Sequence, residues 1–120
     1  MATLDFTISE VATRGDHCHI LTWANMANGD DGTPLQMPGS ADRTVQVFGT
    51  FGAGGNVRIE GSNDGTHWNT LRSANYTDLN ITSAGIHQVV EVTRYIRPIV
   101  TGGDGTTSLT VCMLARRQTR

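Results

Sequence analysis

Few residues in this chain are equipped for chemistry. The run His17-Cys18-His19 brings together two imidazoles and a thiol, ligand types that zinc and similar metals take up. In an extended strand, however, His17 and His19 project to one face and Cys18 to the other, so one ion cannot use all three. His67 and His87 complete the histidine set, but no spacing brings them near the first pair. Acidic turns at Asn28-Gly29-Asp30-Asp31-Gly32, Asn63-Asp64-Gly65 and Asp104 offer oxygens to calcium, with Asp30 and Asp31 the best placed. None has the spaced ligands and closing Glu of an EF-hand loop, and turn formation alone accounts for Asn, Asp and Gly. GxSxG, P-loop and HExxH motifs are missing, as are a carboxylate pair and a Cys with a placed His. The sequence reads as non-enzymatic, with no metal and no cofactor expected.

The basic residues carry more information. All nine are Arg, which leaves planar, forked donors suited to bidentate contact and no Lys point charges. Arg72, Arg94 and Arg97 lie near Tyr76 and Tyr95, and Tyr95 and Arg97 share a strand face with Ile99. Three readings fit that face: contact with a protein, intramolecular pairing with Glu60 or Glu91, and stacking on nucleic-acid bases. The formal charge of −2 argues against the last. Arg116, Arg117 and Arg120 crowd the C-terminus, and without them six Arg stand against eleven acids, a balance of −5. Tyr95, Arg97, Arg116, Arg117 and Arg120 are the candidate partner-binding residues. Arg14-Gly15-Asp16 is a charged glycine turn that could in principle also be read by an integrin.

These residues must be positioned by β-structure. At 120 residues the chain is long enough for one domain with one core. Its apolar residues come in short runs broken by Gly, Asn and Asp. Gly54 to Leu71 is predicted as a hairpin: Val57 and Ile59 alternate with Arg58 and Glu60, Ser62-Asn63-Asp64-Gly65 reverses the chain, and the return strand carries Trp68 into the core. Arg94 to Thr101 and Thr107 to Ala115 read as a second hairpin across Gly102 to Thr106, with Leu109, Val111 and Met113 inward. Pro98 predicts an edge or a bulge in the first of these strands. Further strands are expected over His17 to Met26, covered on both faces, over Thr44 to Phe51, and over Leu79 to Thr82. Another spans Ile86 to Thr93, with Ile86, Val90 and Val92 on one parity.

The expected architecture is an all-β, antiparallel two-sheet sandwich of eight or nine strands, wound as a jelly roll. An N-terminal arm (1–16), a long surface loop (27–43) and a basic tail (116–120) lie outside its demands. The core should gather Val57, Ile59, Trp68, Ile96, Val100, Leu109 and Val111. No stretch approaches the roughly 20 apolar residues of a membrane span, and the start lacks the marks of a signal peptide. Synthesis in a cytosol is expected, with Cys18 and Cys112 as free thiols.

Two resemblances attach to these motifs. GSNDGTHW (Gly61 to Trp68) and RYIRPIV (Arg94 to Val100) resemble the framework hairpin and strand of discoidin-like, coagulation factor 5/8 C-type jelly rolls. Over Gly54 to Arg116, the same motifs followed by TGGDGTTSLTV and an Arg-rich end are similar to small structural proteins of tailed bacteriophages, in particular capsid decoration or cement proteins. That second resemblance implies a virion protein on the capsid surface, made in the host cytoplasm. It would clamp neighbouring capsid subunits, bind the major capsid protein and copies of itself as a dimer or trimer, and meet neither membrane nor nucleic acid directly. The alternative is a carbohydrate-binding or tail-adhesin module, with Trp23 as the tryptophan free to meet a sugar.

Overall fold

Burial alternates along Tyr95–Gly102 and Ser108–Arg116 and over much of Asp42–Thr50 and Gly85–Val89, and the strands sort into two packed sheets. The computed structural model describes residues 1–11 and 18–117. In chain order the strands are β1 (Thr3–Leu4), β2 (Thr7–Glu10), β3 (Cys18–Met26), β4 (Asp31–Gly32), β5 (Asp42–Thr50), β6 (Asn56–Ser62), β7 (Asn69–Thr70), β8 (Asn80–Ile81), β9 (Gly85–Val89), β10 (Tyr95–Gly102) and β11 (Ser108–Arg116). A six-stranded sheet runs β1-β4-β10-β6-β7, with β8 also pairing with β6, and a five-stranded sheet runs β2-β3-β11-β5-β9. Only β1 with β4 is parallel. The chain is thus the expected all-β, two-sheet sandwich. Its eleven described strands exceed the expected number because β1 and β4 have two residues each, too few to show a period. No helix among the described residues is long and apolar enough to cross a membrane.

Six of the seven expected core residues are buried between the sheets, and the seventh, Trp68, is not. The buried tryptophan is Trp23. Phe6 meets its ring edge-on at 5.4 Å, and its Nε1 donates to the Thr33 carbonyl at 3.1 Å. A Cβ at Gly32 would stand 2.6 Å from Trp23 Cδ1 and Nε1, so only glycine lets β4 pass that close. The assignment was hidden because β3 is apolar on both parities: Leu21 and Trp23 face inward, while Ile20 and Thr22 lie half-buried on the outer face. Within this chain β3 is covered on one face, not two.

Two other expectations are corrected by packing. Across Gly102 to Thr106 the chain forms an arch and not a hairpin, since β10 belongs to one sheet and β11 to the other. The Asp104 carboxylate accepts from Thr106 N at 2.9 Å and from Ala53 N at 2.9 Å, tying this arch to the parallel crossover from β5 to β6. In the segment after residue 84, Ile86, Val90 and Val92 share one parity as expected; that parity is the exposed one, and Val89, on the other, is buried. Pro98 sits inside the sheet order, between β4 and β6. Its parity mates Ile96 and Val100 bond toward Leu35 and Asp30, so the missing N–H falls on the sparsely paired β4 side, where no ladder bond is lost.

The outlying segments are stitched in. Residues 1–10 give β1 to one sheet and β2 to the other. The 27–43 stretch carries β4 and a bridge between Leu35 and Ile96, and Leu35 is buried. At its end Arg43 is 1% exposed, with Nε donating to Ser40 O at 2.8 Å and Nη2 to Met37 O at 2.6 Å. Burial lowers its pKa from the ordinary arginine value. β11 runs through Arg116, so the basic tail begins at Arg117.

Candidate interaction face

The outer face of the six-stranded sheet gathers the Arg and aromatic residues. Register does the gathering: on β10 and β6, Tyr95 lies opposite Ser62, Arg97 opposite Glu60 and Ile99 opposite Arg58. All six have the outward parity, because Val57, Ile59, Ile96 and Val100 take the inward one. Arg97 Nη2 donates to Glu60 Oε1 at 3.1 Å and Nε to the same oxygen at 3.3 Å. Its Nη1 stands 3.4 Å from Asp31 Oδ2, on the neighbouring β4. The second Glu60 oxygen faces Arg58 Nη1 at 3.7 Å. Asp31 is fixed in turn by the Thr3 hydroxyl at 2.7 Å. Of the two carboxylates weighed for Arg97, Glu60 is the partner, whereas Glu91 accepts from the Arg72 N–H at 2.7 Å.

Over this pair lies Trp68. The Arg97 guanidinium sits 4.0 Å from its ring centroid, Tyr95 stands 6.4 Å beyond it, and Arg94 lies 5.0 Å over the Tyr95 ring. The result is a row of cation, ring, ring and cation along the sheet surface, with each cation–π contact worth about 0.5–1 kcal/mol at such exposure.

What holds Trp68 there is the turn GSNDGTHW. Asp64 accepts from Thr66 N at 2.8 Å, His67 N at 2.9 Å, the Ser62 hydroxyl at 3.0 Å and His67 Nδ1 at 2.7 Å. Hydrogen bonds from the His67 and Thr66 amides hold its carboxyl well below the usual carboxylate range. Gly65 adopts φ +81, and a Cβ there would press on the Tyr95 ring at 3.2 Å. Asn63 Oδ1 receives the Arg94 N–H at 3.0 Å. The motif therefore does not deliver a tryptophan to the core; it lays one flat on an arginine. Beside it a groove of about 820 Å³ runs between the turn and residues 91–93, with Asn63, Asp64, Asn69, Glu91 and Thr93 in its walls.

The remaining candidates lie elsewhere. Arg116 is on the five-stranded sheet, ion-paired with Asp42, its opposite number on β5. Arg117 follows it, exposed, and Arg120 lies outside the described residues. Tyr95 and Arg97 therefore share one face, and Arg116 does not join it. His17 and the Arg14-Gly15-Asp16 turn also lie outside the described residues. His19 points inward on β3, opposite Ala115. Asp30 spends its carboxylate on the Ala2 and Ala27 amides, both at 2.9 Å. Trp23, the residue assigned to sugar contact in the alternative reading, is fully buried. Sequence reasoning overlooked Trp68 and Asp31 on this face. The signal for Trp68 was its flanking polarity, His67 before it and Asn69-Thr70 after it, which is poor company for a core strand.

No family model and no curated protein matches the chain. Among solved structures it is similar to the crystal structure of SPBc2 prophage-derived protein YomS, with a TM-score of 0.63 and 9% sequence identity over 90% of this chain and 99% of that chain. At that identity the likeness is one of fold.

Proposed function

We propose that this chain is a non-enzymatic structural protein of a phage particle, a decoration or cement protein that seats on the capsid surface, clamps neighbouring capsid subunits and associates with copies of itself. The observation that carries the reading is the end-to-end fold likeness to a prophage-derived protein of nearly the same extent. The outer face of the six-stranded sheet supports it. Its Arg97, Trp68 and Tyr95 side chains are locked before any partner arrives, which lowers the ordering cost of each modest contact. Arg and aromatic residues are also the types that dominate protein interfaces.

The test is to purify particles of the host phage and count this chain against the major capsid protein by mass spectrometry. A fixed, near-stoichiometric ratio is expected, and particles without the chain would end the proposal. Trp68→Ala should weaken binding to shells lacking the protein. Truncation after Arg116 should keep the fold and weaken binding chiefly at low salt, because above physiological ionic strength the tail charges are screened within about 8 Å or less. Saturable binding to glycans instead of shells, lost in Trp68→Ala, would transfer the face to the carbohydrate reading.

A further inference from the structure

The five-stranded sheet ends on β9, and that edge is built unlike the other three. Sheets commonly guard an edge with Lys, Pro, a bulge or brevity. β1 and β7 are two residues long and β2 is four, whereas β9 has five residues, pairs with β5 in unbroken register and contains none of those guards. Its exposed residues are apolar or neutral: Ile86 is 62% exposed, and Gln88 and Val90 follow on the same parity. Phe48, on the adjacent β5, extends the apolar area at 45% exposure.

The backbone states which way the edge opens. Val90 N donates to Arg72 O at 3.0 Å, on the side away from β5. In an extended chain, residues two apart turn their N–H and C=O to the same side, so Gln88 and Ile86 present theirs outward as well. Gly85, His87 and Val89, on the other parity, then turn theirs toward Val47, Val45 and Arg43, their register partners on β5. No described backbone group outside the strand ladders meets the N–H or C=O of Ile86 or Gln88.

We infer that β9 pairs antiparallel with β9 of a second copy across a two-fold axis at His87, joining two five-stranded sheets into one of ten strands. The edge is complementary to itself. Two residues with open N–H and C=O groups, symmetric about His87, allow Ile86 of each copy to exchange both hydrogen bonds with Gln88 of the other, four bonds in all. From Ala84 to Val90 the strand carries no Asp, Glu, Lys or Arg, so two copies meet without repulsion and a charged partner finds no grip. Ile86 and Phe48 of each copy then lie beside the axis and bury area that the single chain exposes. The inference gives the self-association in the proposed function a location, but it rests on the edge alone.

The experiment uses the full chain in solution. Light scattering coupled to gel filtration should give twice the 12.9 kDa chain mass at high concentration. Gln88→Pro removes one open N–H without touching a bond to β5, and Ile86→Lys installs the missing guard. Each should raise the dimer dissociation constant at least about tenfold while circular dichroism and the melting transition stay those of a folded chain. His87→Cys should cross-link two chains under mild oxidation, since residues facing each other across a non-hydrogen-bonded pair lie about 4.5 Å apart at Cα. A wild-type chain that stays monomeric at high concentration overturns the inference, as does an oligomer that survives both substitutions and yields no His87→Cys cross-link. These masses are read without particles, so their failure leaves the shell-binding test untouched, and the reverse also holds.

Discussion

On the outer face of the six-stranded sheet, Arg58, Glu60, Asp31, Arg97, Trp68 and Tyr95 hold one another in a network of opposite charges, a cation–π contact and tilted rings. The outer face of the five-stranded sheet carries Ile20, Thr22, Phe48, Thr110, Cys112 and Leu114, and its charges are confined to the Asp42–Arg116 pair at one end. The first face presents a fixed pattern that can discriminate among partners. The second offers hydroxyls and aliphatic area without direction. Charged groups chiefly set register and encounter rate, while apolar area supplies adhesion, so under the proposed function the sandwich would divide recognition and adhesion between its two sides.

Substitutions can break or sharpen that division. The largest effect belongs to neither face: Trp23→Ala should cost about 3–5 kcal/mol by leaving a cavity between the sheets, read as a collapse of the denaturant midpoint. Trp68→Ala should cost only about 1–2 kcal/mol, the worth of a stacked, half-covered ring. Equal losses for the two would erase the distinction between core and face. Next, Glu60→Gln should destabilise by roughly 1.5–3 kcal/mol, because Arg97 loses its charged acceptor in a partly buried setting. Arg58→Ala, which trims the exposed rim of the same network, should stay within about 1 kcal/mol. Comparable values would mean that the network is not centred on Arg97.

Smaller effects test the arches and the neutral face. Hydrogen bonds from the Thr106 side chain and the Ala53 and Thr106 amides lower the Asp104 pKa to about 2, below the ordinary value of about 3.9. Folding therefore favours its ionised form. That contribution is complete above pH ~4 and is lost as pH falls toward about 2. Asp104→Asn should flatten the acid limb of the stability profile over that window, and an unchanged limb would show that the arch tie is dispensable. The mildest measurement is thiol titration. Cys18 lies opposite Arg116 and Cys112 opposite Thr22, four residues apart along β3, which is roughly 13 Å and beyond disulfide reach. Two free thiols are expected in denatured, unreduced protein, with Cys112 the faster in the native state because Cys18 is buried.

Parity made much of this fold legible. Val57, Ile59, Ile96, Val100, Leu109, Val111 and Met113 each fall on one parity of their strands, and the core uses them as their strands indicate. Parity fails where both sides are apolar, as on β3, or where aliphatic residues are adjacent, as at Val89-Val90. It is also silent about which sheet a strand joins. Gly102 to Thr106 has the composition of a hairpin loop, yet the same flexible residues serve an arch equally well, and only the packing of β11 between β3 and β5 decides. For the candidate face, Tyr95 and Arg97 could be paired from spacing, but Asp31 and Trp68 reach them through β4 and a turn that no local pattern reveals.

The order of the five-stranded sheet bears on how the chain is born. Its centre is β11, the last of its five strands in chain order, and the Thr22 side chain waits 90 residues for that of Cys112. At about 5–20 residues per second, β3 spends roughly 5–20 s without the neighbour that will flank it. Contacts of such sequence separation also make folding slow, because the closing loop must be ordered before any pairing rewards it. The half-made chain therefore shows the apolar residues of β3 and β5 to the ribosome's surroundings until β11 emerges and brings the sheet together.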